Sequence, residues 1–240
     1  MSQSASVKPH STAGSDRPAA AWSLEGGHAH DRRGRAVLDL TVPAAGLVTE
    51  SGDRLLGFDV GEARPPIDAW VRGDDITAIW EPGDARGLRA TGLWRAGHDD
   101  AGIATWELVA SATTRHLRAE ATLEVISTVR AAEILLAESV HGASTAFSPA
   151  AISRPASILV RRGDGMSVLH VLHPGEPPAM TVVRDGGNAR VACALFPAGV
   201  EKGVLLRSRV LAAVGPTADD VAWSARLATA FAASPPLLST

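Results

Sequence analysis

Residues 188–216 read NARVACALFPAGVEKGVLLRSRVLAAVGP, which is two apolar runs joined by a short polar connection. One face of the second run carries Val204, Leu206, Ser208, Val210, Ala212 and Val214. Because successive side chains of a strand point to opposite faces, this period of two predicts a long β-strand. The other face begins with Arg207 and Arg209 and then becomes apolar. The strand is therefore predicted to run from a solvent-exposed end into a covered one.

The chain before this stretch, from about Ala36 onward, is a series of short alternating runs separated by turn residues. Asp-Gly sequences at 164–165 and 185–186 lie between apolar runs, which is a strong hairpin signal. A helical pattern appears only after the last strand, with Thr217 as its predicted N-cap. We therefore predict an all-β protein, a large antiparallel β-sandwich with one C-terminal α-helix.

The chain divides by composition into two parts. Residues 1–36 are mainly Ser, Ala, Gly, His and Arg without apolar periodicity, so this segment buries too little apolar surface to offset its ordering entropy. It is predicted to be a disordered N-terminal arm. Residues 37–240 are predicted to form a single β-sandwich domain, because a chain of this length can bury a core without disulfides.

The overall composition excludes several classes of protein. The net charge of −3 disfavours a general nucleic-acid-binding protein. With Cys193 as the single cysteine, neither a disulfide nor a cysteine-based zinc site is expected within the chain. No apolar run approaches the roughly 20 residues of a membrane span, and no apolar leader follows Met1. We expect a cytoplasmic protein with neither nucleic acid nor membrane among its partners.

Five stretches resemble sequences of a known group: DAWVRGDDITAIW (68–80), LWRA (93–96), HVLHPGE (170–176), FPAGVEKGVLLRSRV (196–210) and SPPLLST (234–240). Together they resemble an uncharacterised bacterial family of all-β proteins, from about Leu55 to the end of the chain. The resemblance implies a supersandwich-like fold, similar to that of galactose-mutarotase-like and carbohydrate-active proteins. A likeness of fold implies no particular activity.

The first candidate site is the outward face of the run 67–72, which carries Asp68, Trp70 and Arg72. An exposed indole between charged groups is typical of a sugar-binding surface, where the ring stacks and the charges bind hydroxyls. Arg207 and Arg209 are further candidates for ligand binding, since an arginine in a covered cleft needs acceptors. The alternative is that a second sheet covers this face and places Trp70 in the core.

The second candidate site is an acid–base pair. His173 and Glu201 are the candidate catalytic residues, with Glu107 as another acid. The structural alternatives are a loop histidine for His173 and a solvated turn, or an ion pair with an arginine of the long strand, for Glu201. His170 and His173 alone are a poor metal site, so no metal is predicted. No phosphate loop, nucleophile elbow or zinc-protease motif is present, and no cofactor is predicted.

Two functions remain open at this point. The first is a non-catalytic sandwich that binds a carbohydrate-like polar ligand or a protein partner. The second is a sugar epimerase or lyase-type enzyme that uses His and Glu as acid and base. Convergence of His173, Glu201, Arg72 and Trp70 on one concave sheet face would favour the enzyme, whereas scattered positions would favour the non-catalytic sandwich.

Overall fold

In a computed structural model, residues 21–62, 64–98, 101–120, 122–140, 143–144, 147–149, 155–175 and 180–235 are described. The strands of the first half are β1 (Trp22–Glu25), β2 (His28–Asp31), β3 (Ala36–Asp39), β4 (Leu47–Thr49), β5 (Arg54–Asp59), β6 (Asp68–Arg72), β7 (Asp75–Trp80), β8 (Leu88–His98), β9 (Ala104–Thr114) and β10 (Arg118–Ala119). Those of the second half are β11 (Leu123–Arg130), β12 (Glu133–Ala137), β13 (Ser139–Val140), β14 (Ala143–Ser144), β15 (Ser157–Arg161), β16 (Met166–Leu172), β17 (Met180–Asp185), β18 (Asn188–Leu195), β19 (Val200–Glu201) and β20 (Leu206–Pro216). A 3-10 helix, Pro43–Ala45, precedes β4, and one α-helix, α1 (Asp220–Ala233), follows β20.

The strands form two eight-stranded antiparallel sheets that make an open sandwich. Sheet I has the order β1-β2-β3-β4-β5-β11-β18-β17, and sheet II has the order β12-β15-β16-β20-β9-β8-β7-β6. Two short pairs, β10–β19 and β13–β14, complete the architecture. The predicted fold class, an all-β sandwich with one C-terminal helix, is confirmed.

The main core lies between the two sheets and follows from the period of two. In β9, for example, Trp106, Leu108 and Ala110 point toward sheet I and are buried, whereas Glu107 points to the other face of sheet II. The long strand predicted from residues 204–214 is β20, which begins at Leu206 and lies centrally in sheet II. The predicted alternation therefore matches the face that each residue presents.

A bulge between β5 and β11 connects sheet I to the aromatic centre of the core. Leu56 has a φ of 52°, in the left-handed region that a branched residue rarely adopts, and the pairing register shifts between Ile126 and Thr128. The bulge leaves two backbone groups of Leu56 outside the ladder. Its N–H donates to Ser127 Oγ at 3.0 Å, and its carbonyl accepts from Trp94 Nε1 at 3.2 Å.

Helix α1 covers only one half of the outer face of sheet II. It packs through Trp223, Ala228 and Phe231 against apolar residues of β12, β15, β16 and β20. The predicted cap is wrong by two residues, because Asp219 rather than Thr217 occupies the N-cap position. Among the described residues, no layer covers the outer faces of β6 to β9, and this asymmetry creates the site described below.

The predicted disordered arm is wrong for residues 21–36, since this segment contains the β1–β2 hairpin and the start of β3. Trp22 is 1% exposed, and its indole N–H donates to the Asp74 carbonyl at 2.9 Å. The sequence gives no sign of this order, because one buried indole and strand pairing between distant segments, rather than local apolar periodicity, hold these residues in place. Residues 1–20 of the predicted arm lie outside the described residues.

His170 on β16 is a buried polar group in the main core. Its cross-strand neighbours are Ile158 and Ala212, and neither ring nitrogen has a hydrogen-bond partner among the described residues. Burial lowers the pKa of His170 from 6.5 to about 4. The ring is therefore neutral at pH 7, and its unsatisfied nitrogens destabilise the fold.

We expect His170→Leu to raise the free energy of unfolding at pH 7 by roughly 1–3 kcal/mol, because it removes two unsatisfied buried atoms. The wild type should also lose stability as the pH falls from 6.5 to 4, since the unfolded chain takes up the proton first. The loss should reach roughly 3 kcal/mol below pH 4. Urea unfolding at several pH values measures both effects.

The variant supplies the control for this pH dependence. His170→Leu should flatten most of the slope between pH 6.5 and 5, leaving the smaller contribution of His173, whose pKa burial also lowers. Closer to pH 4, the aspartates whose pKa values are lowered in the folded protein also contribute to the slope of both proteins. An unchanged slope in the variant would contradict the assignment of the acid sensitivity to His170.

Candidate ligand-binding cleft

The uncovered half of sheet II contains a cleft of about 360 Å³ on its outer face, which we call the outer cleft. Its charged and aromatic lining consists of Trp70, Arg72, Asp75, Arg95 and Arg207. Its remaining lining is formed by Thr77, Thr91, Leu93, Val109 and Ser111. The lining therefore combines one indole, three guanidinium groups, one carboxylate and three hydroxyls.

Strand register brings these residues together from distant parts of the chain. One row across the sheet contains Trp70, Thr77, Leu93, Val109 and Arg209. The row on one side contains Asp68, Ile79, Thr91, Ser111 and Arg207, and the row on the other side contains Arg72, Asp75, Arg95, Glu107 and Leu211. All five residues predicted to bind ligand thus lie on the same face of sheet II.

Trp70 and Arg72 are the accessible members of this face. Trp70 is 40% exposed on edge strand β6, so the alternative that a second layer buries it is wrong. Arg72 is also exposed, and within the described ranges it makes neither an ion pair nor a hydrogen bond. Asp68 shares their face but does not line the outer cleft. An indole and a guanidinium are therefore both accessible beside the cleft.

A chain of alternating charges runs along one side of the cleft. Arg95 donates from Nε to Asp75 Oδ1 at 2.7 Å and from Nη2 to Asp75 Oδ2 at 3.0 Å. These hydrogen bonds raise the pKa of Arg95 above its ordinary value. Glu107 lies between two arginines, with Oε2 at 3.9 Å from Arg95 Nη1 and Oε1 at 2.5 Å from Arg209 Nε. Glu107 is thus the acid partner of Arg209.

Arg209 links the row of charged residues beside the cleft to the end of helix α1. Its side chain is 10% exposed, its Nη1 donates to the Pro235 carbonyl at 3.0 Å, and its guanidinium lies 4.8 Å from the centre of the Phe231 ring. All of these contacts are internal to the protein. Arg209 therefore has a structural role at the helix end and does not line the outer cleft.

His173 lies on the helix side of sheet II, after the end of β16. Its Nδ1 accepts from the Gly175 N–H at 3.2 Å, and its Nε2 lies 3.4 Å from the Ser234 carbonyl. Burial lowers the pKa of this ring, which favours the neutral form that such a pair of contacts requires. Both nitrogens are therefore occupied by main-chain groups. Glu176, the other acid near it in sequence, lies outside the described residues.

Glu201 does not join this face. It lies in the two-stranded β10–β19 pair, opposite Arg118, and is exposed. The structure therefore does not bring His173 and Glu201 into the outer cleft, and Glu201 is not the acid that contacts Arg209. Among the described residues, no three His, Cys, Asp or Glu side chains are arranged to hold a metal ion.

Sequence reasoning missed Arg95 and the three cleft hydroxyls. The sequence of β8 does contain a pattern that could have indicated them, because every second residue, Arg89, Thr91, Leu93 and Arg95, lies on one face of the strand. What the sequence lacked was the register that places this face beside Trp70 and Ser111. A polar outward face on one strand is otherwise typical of any solvated sheet.

A larger depression, of about 620 Å³, lies near the β10–β19 pair. Its charged groups are already paired: Arg86 lies 3.4 Å from Asp59, Arg118 lies 3.4 Å from Glu120, and Glu124 lies 3.6 Å from Arg190. Its lining contains no aromatic residue. The outer cleft, with an accessible indole and an unpaired arginine among the described groups, is the better candidate site.

The fold and the outer cleft together define an all-β sandwich protein with an arginine-lined cleft on one outer face. No protein-family model matches the sequence, and no curated protein is significantly similar to it. In the described parts of the chain, no helix has the length and apolarity that crossing a membrane requires.

Proposed function

We propose that the outer cleft binds an acidic carbohydrate or a related sugar acid, without catalysis. The proposal depends chiefly on one observation: the exposed Trp70 lies beside Arg72, whose charge has no counterion among the described residues. An indole face stacks on the apolar face of a sugar ring, and a guanidinium binds a carboxylate through two parallel hydrogen bonds.

The charge and shape of the cleft support this ligand class. Arg72, Arg95 and Arg207 line it against the single carboxylate of Asp75, so the lining favours an anion. Thr77, Thr91 and Ser111 supply hydroxyls that can both donate to and accept from the hydroxyls of a sugar. The volume of about 360 Å³ lies within the range of small-molecule sites.

A non-catalytic role is favoured over an epimerase or lyase because the candidate acid and base are otherwise engaged. Glu107 lies between two arginines, and both ring nitrogens of His173 contact the main chain. A general base must reach the proton it abstracts, and neither group presents a free atom to the outer cleft. A cytoplasmic location, with neither nucleic acid nor membrane as a partner, stays a prediction from composition.

The expected result is that glucuronate or galacturonate oligosaccharides raise the melting temperature of the wild-type protein, whereas glucose of equal concentration does not. A ligand at 100 times its Kd stabilises by about 2.7 kcal/mol. Trp70→Ala and Arg72→Gln should each abolish this shift while lowering the melting temperature of the unliganded protein by less than about 4 °C. Thermal-shift measurements followed by calorimetric titration provide the readout.

Arg115→Gln is the matched control, because this arginine is 84% exposed and lies away from the cleft. It should retain the full ligand-dependent shift. A wild-type protein that no acidic sugar stabilises would refute the proposed ligand. A protein partner would then be the better hypothesis, because Ile67 and Trp70 expose apolar surface on and beside edge strand β6.

A further inference from the structure

Strand β6 forms one edge of sheet II. Its sequence, DAWVR, places Asp68, Trp70 and Arg72 on the outer face of the sheet, and all three residues are exposed. Among the described residues, β6 pairs with β7 alone, so one side of its backbone has no strand beside it. An edge strand of this kind presents unpaired N–H and C=O groups to which another strand can pair.

The other three edge strands of the two sheets differ from β6. Edge strand β12 is partly covered, because Leu136 forms a bridge with Ser148. The exposed face of β17 has Asp185 as its only charged residue, and β1 has only Glu25. Within the described edges, β6 is therefore the strand that carries an acid and a base on the same exposed face.

The sequence of β6 is complementary to itself in antiparallel pairing. When two copies of the strand pair about a twofold axis at Trp70, Asp68 of each copy lies opposite the partner's Arg72, and the two Trp70 residues lie opposite each other. Directly opposite residues lie on the same face, with Cβ atoms roughly 4.5–5.5 Å apart. Two charge pairs and one tryptophan pair therefore form together on the outer face.

The backbone of β6 allows this register. The two-residue turn at 73–74 closes the β6–β7 hairpin at Arg72 and Asp75, which are therefore a hydrogen-bonded pair. Since bonded and non-bonded positions alternate along a strand, Ala69 and Val71 direct their N–H and C=O groups to the unpaired edge. In the register centred on Trp70, Ala69 lies opposite the partner's Val71, so these groups bond to each other.

The charges of Asp68 and Arg72 have no partner within one copy of the described chain. Four residues apart on a strand, they lie about 13 Å from each other, which is too far for a direct ion pair. In contrast, Asp75 on the same face is paired with Arg95 at 2.7 Å. A second copy supplies an opposite charge to each. The five N–H donors of a guanidinium also leave Arg72 able to contact a ligand.

We propose that the protein forms a twofold-symmetric dimer in which the β6 strands of two copies pair antiparallel and join their two sheets II into one continuous sheet. The partner is thus a second copy of this chain, recognised by backbone pairing and by the Asp68–Arg72 charges. A single pair of five-residue strands buries less surface than a standard interface, so we expect a reversible dimer with a micromolar Kd. The dimer does not depend on the ligand proposed for the outer cleft.

Sedimentation equilibrium of the full chain without ligand, from micromolar to millimolar concentration, tests this dimer. The wild type should shift reversibly toward twice the mass of the chain. Asp68→Arg and Arg72→Asp should each raise the dimer Kd on the order of tenfold or more, because each places like charges opposite each other at both symmetric positions. An equimolar mixture of these two variants should associate as the wild type does, because opposite charges face each other again. The double variant Asp68→Arg/Arg72→Asp should do the same.

Asp185→Arg is the matched control, because it makes the same change of charge on the exposed face of edge strand β17 and should leave the Kd unchanged. Asp68 does not line the outer cleft, so Asp68→Arg weakens the dimer without removing a residue proposed to bind the ligand. Dimerisation and ligand binding can therefore fail separately. The proposal is overturned if the wild type is a monomer throughout, if neither single charge reversal weakens the dimer, or if neither the mixture nor the double variant restores it.

Discussion

Replacing Trp94 with Ala is expected to lower the free energy of unfolding by about 3–5 kcal/mol, the usual cost of removing a large buried aromatic side chain. Trp94 is fully buried, and its ring forms edge-to-face contacts with Phe58 and Trp80 at centroid distances of 6.3 and 6.2 Å. Gly92 makes room for it, since a Cβ there would lie 2.6 Å from the Trp94 ring. The neighbouring backbone cannot easily close the resulting cavity.

The indole N–H of Trp94 adds a polar contribution that a second variant separates from packing. Trp94→Phe keeps a ring but leaves the Leu56 carbonyl at the bulge without its donor, and we expect a loss of about 1–3 kcal/mol beyond that of the lost volume. Urea unfolding followed by circular dichroism measures both changes. Trp70→Ala is the control, because its half-exposed ring should cost less than about 1 kcal/mol. Equal losses at Trp94 and Trp70 would contradict the assignment of the core.

Glu107→Ala should destabilise the protein by about 3–5 kcal/mol, the cost of breaking a buried ion pair by removing one partner. The change leaves Arg209, whose side chain is 10% exposed, without its carboxylate at 2.5 Å. An arginine cannot lose its charge to suit burial. Its remaining contact at 3.0 Å is with the Pro235 carbonyl, so the end of helix α1 should loosen as well.

Two comparisons sharpen this prediction. Glu201→Ala should leave the unfolding midpoint unchanged, because Glu201 is exposed in the β10–β19 pair. The double variant Glu107→Leu/Arg209→Met should be close to wild type or more stable, since an apolar pair of similar volume avoids the desolvation of two charges. If Glu107→Ala unfolds at the wild-type urea concentration, the Glu107–Arg209 pair is solvated in solution and does not stabilise the fold.

The Glu107 prediction also bears on the choice between ligand binding and catalysis. A carboxylate that holds two arginines in place is an acceptor for internal donors, so its loss should appear first as lost stability. The same substitution in an enzyme that used Glu107 as an acid or base would lower activity while the protein stayed folded. Comparing stability with ligand-dependent thermal shifts in one variant separates the two roles.

Local patterns determined much of what the outer cleft contains. The alternation of residues 204–214 placed Arg207 and Arg209 on one face of a strand, and the alternation of 67–72 placed Asp68, Trp70 and Arg72 on one face of another. Because the strand period is fixed by backbone geometry, these assignments needed no tertiary information. The same reasoning correctly predicted an all-β sandwich followed by a single helix.

Only the tertiary structure decided which partners these residues meet and which surfaces stay open. Arg209 and Glu107 are 102 residues apart in the chain, and strand register rather than proximity in sequence made Glu107, and not Glu201, the acid partner. The position of helix α1 left Trp70 exposed, and the β1–β2 hairpin at Trp22 was ordered by distant contacts. Strand pairing between distant segments and the burial that results from it are properties of the whole chain, so no local pattern encodes them.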